Sequence, residues 1–141
     1  DALAMPWTDA EQHRQREKAR EVMEQLGVAE DAQRLPSELP YPVQKRVALA
    51  RALVSDPKVI LLDEPAGGIS AADMADLAKL IKSWIPERTV LLVEHHMELV
   101  MDVCDLIWVL DAGKVISAGT PEYVRSDPAV LAAYLGEDGD H

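Results

Sequence analysis

Two clusters in this 141-residue chain have the side-chain types and spacing for chemistry. The first is Asp63-Glu64, directly after the apolar run Val59-Ile60-Leu61-Leu62. Adjacent carboxylates at a strand end point different ways and can divide a task. One can hold Mg²⁺, directly or through water, while the other orients or deprotonates a water. Acidic residues also end strands merely because they are solvated there, so the pair by itself leaves both readings open. The second cluster is Glu94-His95-His96, directly after the apolar stretch Thr89–Val93. A lone histidine is more often packed or solvated than catalytic, but on a neighbouring strand His95 can face the same ligand as Asp63. Zinc is the other reading of His95-His96. Adjacent histidines on a strand face opposite ways, and the sequence offers no obvious third ligand, so a shared ion is not expected.

The elements that must position these residues follow from hydrophobic spacing. A helix is expected from an N-cap at Asp9 to about Leu26, with Ala19, Val22, Met23 and Leu26 on one face and Gly27 ending it. After a proline-rich link, a second helix is expected from Pro42 to Val54, since proline suits the first helical turn. Val59–Leu62 and Thr89–Val93 read as strands buried on both faces. Between them Met74, Leu77, Ala78 and Ile81 mark a third helix, and Met97, Val100, Met101 and Cys104 a fourth. Leu106–Leu110 and Val115–Ala118 flank Asp111-Ala112-Gly113, which predicts a hairpin. Short helices near Pro121–Arg125 and Pro128–Leu135 close the chain. Helices alternating with buried strands imply an α/β fold with a partly parallel sheet. The two chemical strands are expected side by side and parallel, since the helix between them is long enough for a crossover.

Composition narrows the function. The chain is 48% hydrophobic and 28% charged, an ordinary globular balance. No apolar run is long enough to span a bilayer, and no basic stretch followed by an apolar one suggests a secretory signal. A single cysteine, Cys104, excludes an internal disulfide. The net charge of −11 disfavours nucleic acid and anionic lipid as partners. That charge is uneven: residues 1–56 carry 8 basic and 10 acidic side chains, residues 57–141 carry 6 and 15. A first residue of Asp1 rather than Met leads us to expect a piece of something longer.

Read together, these segments resemble the ATPase domain of ABC transporters. Leu39 to Leu53 (LPYPVQKRVALARAL) is similar to the family's signature motif and the helix that follows it, and Val59 to Pro65 (VILLDEP) to its Walker B strand. Ala66 to Ser70 occupies the D-loop position, and Val93-Glu94-His95 resembles its switch histidine. The tail GKVISAGTPEYVRSDPAVLAAYLGE and the Pro-Tyr of the signature are similar to the branched-chain amino-acid importer ATPases. The resemblance implies the C-terminal portion of a P-loop-type ABC ATPase domain, α/β, with a partly parallel sheet flanked by helices. Residues 1–56 would be part of the helical subdomain, with the signature at 39–46, and residues 57–141 part of the catalytic core. It implies that Asp63 supports Mg²⁺, that Glu64 is the general base polarising the attacking water, and that His95 hydrogen-bonds the γ-phosphate of ATP. Gln44 and Arg46 match the polar end of the signature, and the resemblance implies that they bind the ATP cofactor. The implied partners are a second ATP-binding subunit, identical or not, and membrane-spanning permease subunits, at the cytoplasmic face of the cell membrane, with no nucleic acid.

Three departures modify the expectation. No G-x-x-x-x-G-K-[ST] loop occurs, so the phosphate cradle is absent and the chain alone is expected to be inactive. The family's Ser-Gly-Gly positions read Pro40-Tyr41-Pro42, with Val43 where Gln is usual, and Ser70 stands at the D-loop aspartate. A working importer ATPase and a degenerate subunit paired with an active partner both remain open. The intact Glu64 and His95 favour the first. A chromosome-maintenance or DNA-repair ATPase head, which shares the signature and Walker B, is opposed by the net charge and the tail. Without the family's N-terminal strands, apolar surface is expected to be left over.

Overall fold

The computed structural model describes residues 6–137. Helix α1 runs Pro6–Gln25, α2 Tyr41–Leu53, strand β1 Val59–Asp63, α3 Ala71–Trp84, β2 Thr89–Val93, α4 Met97–Val103, β3 Ile107–Asp111, β4 Lys114–Gly119, α5 Pro121–Ser126 and α6 Pro128–Glu137. The expected elements are all present, with ends displaced by a few residues. The main displacement is at α1, which begins at Pro6 rather than after a cap at Asp9. A proline in the first turn gives up no helical hydrogen bond, so it starts a helix readily.

The chain packs as two units that divide after Val93. In the first, α1 and α2 lie against each other, with Val22, Leu26, Ala50 and Leu53 buried. Gly27 ends α1 with φ +66, a left-handed conformation that glycine adopts without steric cost. Strands β1 and β2 pair in parallel, Val59 opposite Thr89 through Asp63 opposite Val93. This is the expected arrangement. Helix α3 is the crossover and packs on β2; it buries Leu77, Ala78, Ile81 and Trp84.

The expectation of strands buried on both faces is corrected. Ile60 and Leu62 are buried, but Val59, Leu61, Leu91 and Val93 are all exposed, Leu61 at 71%. Partnered residues in a sheet project to the same side, so these four form one bare apolar face. A continuous apolar run cannot say how many of its faces find a cover; here one does.

In the second unit α4 buries Leu99, Val100 and Val103. The β3–β4 hairpin turns through Ala112 and Gly113, both with positive φ (44° and 76°), the two-residue turn whose twist matches that of the strands. Helices α5 and α6 pack on β4, and Val124 and Val130 are buried. Ser117 on β4 donates to Asp127 Oδ2 at 2.6 Å, joining the hairpin to the start of α6.

Candidate functional site

The first cluster sits where β1 ends. Asp63 is the last residue of the strand, exposed, and on the same side of the sheet as the bare apolar face. Glu64 continues the pairing for one more bond, its N–H donating to the Val93 carbonyl at 2.9 Å. Its φ is then +45, a left-handed value few non-glycine residues adopt. The Glu64 carbonyl is fixed in turn by the Gly67 N–H at 3.1 Å and the Lys45 ammonium at 3.3 Å.

Lys45 belongs to the start of α2, so the signature-like segment and the loop after Glu64 are tied together. A second contact does the same. The Tyr41 ring lies over Gly68, where an added Cβ would approach Tyr41 Cε1 to 3.1 Å, and Lys45 stands 5.4 Å from the centroid of that ring. Sequence reasoning missed Tyr41 and Lys45 as organisers of this loop, because no local pattern encodes a contact across some twenty residues.

The other signature residues are engaged inside the fold. Gln44 donates to the Leu39 carbonyl at 2.8 Å, closing the turn into the helix. Arg46 reaches the Leu26 carbonyl at 3.4 Å and pairs with Asp76 of α3 at 3.7 Å. Ser70 caps α3, its hydroxyl accepting from the Asp73 N–H at 3.1 Å. At the α2 N-terminus, Pro40 and Pro42 carry no N–H, and the Val43 and Gln44 N–H groups both turn back to the Pro40 carbonyl at 2.9 and 3.0 Å.

The second cluster opens the second unit. The Glu94 side chain is fully buried and its Oε2 accepts from the N–H groups of His95 (3.0 Å) and His96 (3.2 Å). The same oxygen lies 2.7 Å from His96 Nδ1 and 3.8 Å from His95 Nδ1. The two rings face each other with centroids 4.2 Å apart. Opposed histidines are therefore not what this chain contains. The strand has already ended at Val93, so side-chain alternation no longer applies, and Glu94 draws the backbone of both histidines around its carboxylate.

Two family models match the chain: "ABC transporter" over residues 2–67 and "Branched-chain amino acid ATP-binding cassette transporter" over residues 114–140. The chain belongs to the ABC transporter ATP-binding family. It is similar to the high-affinity branched-chain amino acid transport ATP-binding protein LivG of Escherichia coli K12, with 41% identity over 82% of the chain and 46% of LivG. It is also similar to the lipopolysaccharide export system ATP-binding protein LptB of Haemophilus influenzae, with 37% identity over 92% of the chain and 54% of LptB. The chain thus spans about half the length of these relatives. Among solved structures, the ADP conformation of MJ1267, an ATP-binding cassette of an ABC transporter, matches with a TM-score of 0.78 and 30% identity. That match covers 87% of this chain and 50% of the other. The α/β fold with its parallel strands is that of an ABC ATPase cassette in part, as the sequence led us to expect. Among the described residues no helix is long and apolar enough to cross a membrane.

Proposed function

We propose that this chain is the C-terminal part of the ATP-binding and ATP-hydrolysing subunit of an ABC importer for branched-chain or related amino acids. Residues 1–56 would contribute to the helical subdomain and residues 57–141 to the catalytic core. Asp63 would hold Mg²⁺, a hard cation suited to one carboxylate plus phosphate oxygens; when bound, the ion neutralises charge on the nucleotide phosphates. Glu64 would orient the attacking water and take its proton. His95 would donate a ring N–H to the γ-phosphate. Gln44 and Arg46, at the polar end of the signature, would contribute to binding ATP. The subunit would pair with a second ATP-binding subunit and dock on permease subunits at the cytoplasmic face of the membrane. The amino-acid assignment rests on the family model matched at residues 114–140, because an export-system protein is nearly as similar over the chain as a whole.

One observation carries this reading: Asp63 and Glu64 end a strand paired in parallel with β2, and Asp63 lies on the face left bare. In the complete subunit, a layer bearing the phosphate-binding loop would cover that face. Most affinity for nucleotide phosphates comes from such a loop, so the isolated chain should show no micromolar binding of Mg-ATP in calorimetry. In the complete subunit Glu64→Gln should slow turnover by about 10²–10⁴-fold and retain ATP. Turnover by the isolated chain that vanishes in Glu64→Gln would defeat the inactivity claim. Unchanged turnover in the complete subunit would defeat the role of Glu64.

A second reading, a degenerate subunit serving an active partner, is favoured by the α2 N-terminus. Two prolines and two inward-bonded N–H groups leave few donors for a phosphate there.

A further inference from the structure

We propose that Glu94, His95 and His96 form a site for a divalent transition-metal ion of the zinc class. All three open the second unit, and each offers one ligand atom within 4.8 Å of the other two. The ligand set is one carboxylate oxygen and two imidazole nitrogens. That mixture suits Zn²⁺, Co²⁺ or Ni²⁺; Mg²⁺ and Ca²⁺ prefer all-oxygen surroundings.

The geometry is close to what such an ion needs. Bonds of about 2.0–2.1 Å in a tetrahedron set ligand atoms roughly 3.3 Å apart. Glu94 Oε2 lies 2.7 Å from His96 Nδ1 and 3.8 Å from His95 Nδ1, values on either side of that spacing. The two imidazole ligand atoms lie within 4.8 Å of each other, and an ion would draw the rings together in place of the present Glu94–His96 contact. The carboxylate is already held by two backbone N–H groups, the kind of outer support that orients metal ligands. His95, with 65% of its side chain exposed, gives the entry path and leaves room for water as a further ligand. The site goes beyond the ATPase reading and does not rest on it.

The test is a Co²⁺ titration of the whole chain without a histidine tag, followed by its visible absorption. Saturation at one ion per chain, displaced by Zn²⁺, is expected. His96→Ala and His95→Ala should each weaken binding at least about tenfold. His95 is exposed, so its variant keeps the measurement valid if His96→Ala perturbs the fold, which circular dichroism will show. His13→Ala removes an exposed His–Glu pair (3.3 Å) on α1 and should leave binding unchanged. No saturable cobalt binding, or full affinity retained in both His95→Ala and His96→Ala, or loss in His13→Ala, overturns the proposal.

Discussion

At the residue scale, small groups decide how segments join. The Asp127 carboxylate accepts from the Ser117 hydroxyl at 2.6 Å and from the Ala129 N–H at 2.9 Å. These bonds favour its ionised form, the Ser117 bond most, and hold its pKa below the usual aspartate value. A depressed folded-state pKa means that stability is present above the unfolded-state value of about 3.9 and is lost as pH falls through the lower folded-state one. Acid titration of the tail unit should therefore show a loss below about pH 4 that Asp127→Asn reduces; an unchanged acid limb in that variant would refute the role. Gly119 is constrained by space. A Cβ there would stand 2.7 Å from Tyr123 Cδ1. Gly119→Ala should destabilise by about 1–3 kcal/mol in denaturant melts, and a neutral result would mean that α5 shifts freely.

At the scale of elements, the start of α2 is organised by its own prolines and backbone bonds. Pro40 and Pro42 set its direction and Gln44 closes it, but they remove N–H donors that an anion would use. Each hydrogen bond to a charged group is worth about 1.5–3 kcal/mol. Pro42→Gly in the complete subunit is expected to raise the ATPase rate of the assembled transporter. An unaltered rate at unaltered stability would mean that the remaining donors suffice. The sequence revealed this helix and its two prolines directly. It was silent on Tyr41 over Gly68 and Lys45 on the Glu64 carbonyl, since both need α2 and the loop after β1 already packed.

At the scale of the whole molecule, the bare face of β1 and β2 is the dominant feature of the first unit. Val59, Leu61, Leu91 and Val93 are each more than half exposed, a contiguous apolar surface of the kind that drives association. The chain should self-associate with rising concentration in sedimentation experiments. Leu61→Lys should lower the apparent mass without changing the helix signal; a monomer at all concentrations would show that the face tolerates water.

The sequence by itself determined the elements, because periods of 3.6 and 2 and the proline and glycine punctuation act locally. It also offered the candidates for chemistry, because Asp63 and Glu64 directly follow, and His95 stands two residues after, apolar runs that read as strands. Only the tertiary structure decided the rest. Whether a strand is covered on one face or two depends on what packs against it, and β1 found a cover on one side only. Whether His95 and His96 diverge or meet depends on where the strand stops and on the buried Glu94 carboxylate that gathers both backbones, a three-dimensional arrangement that the spacing of two adjacent letters cannot express.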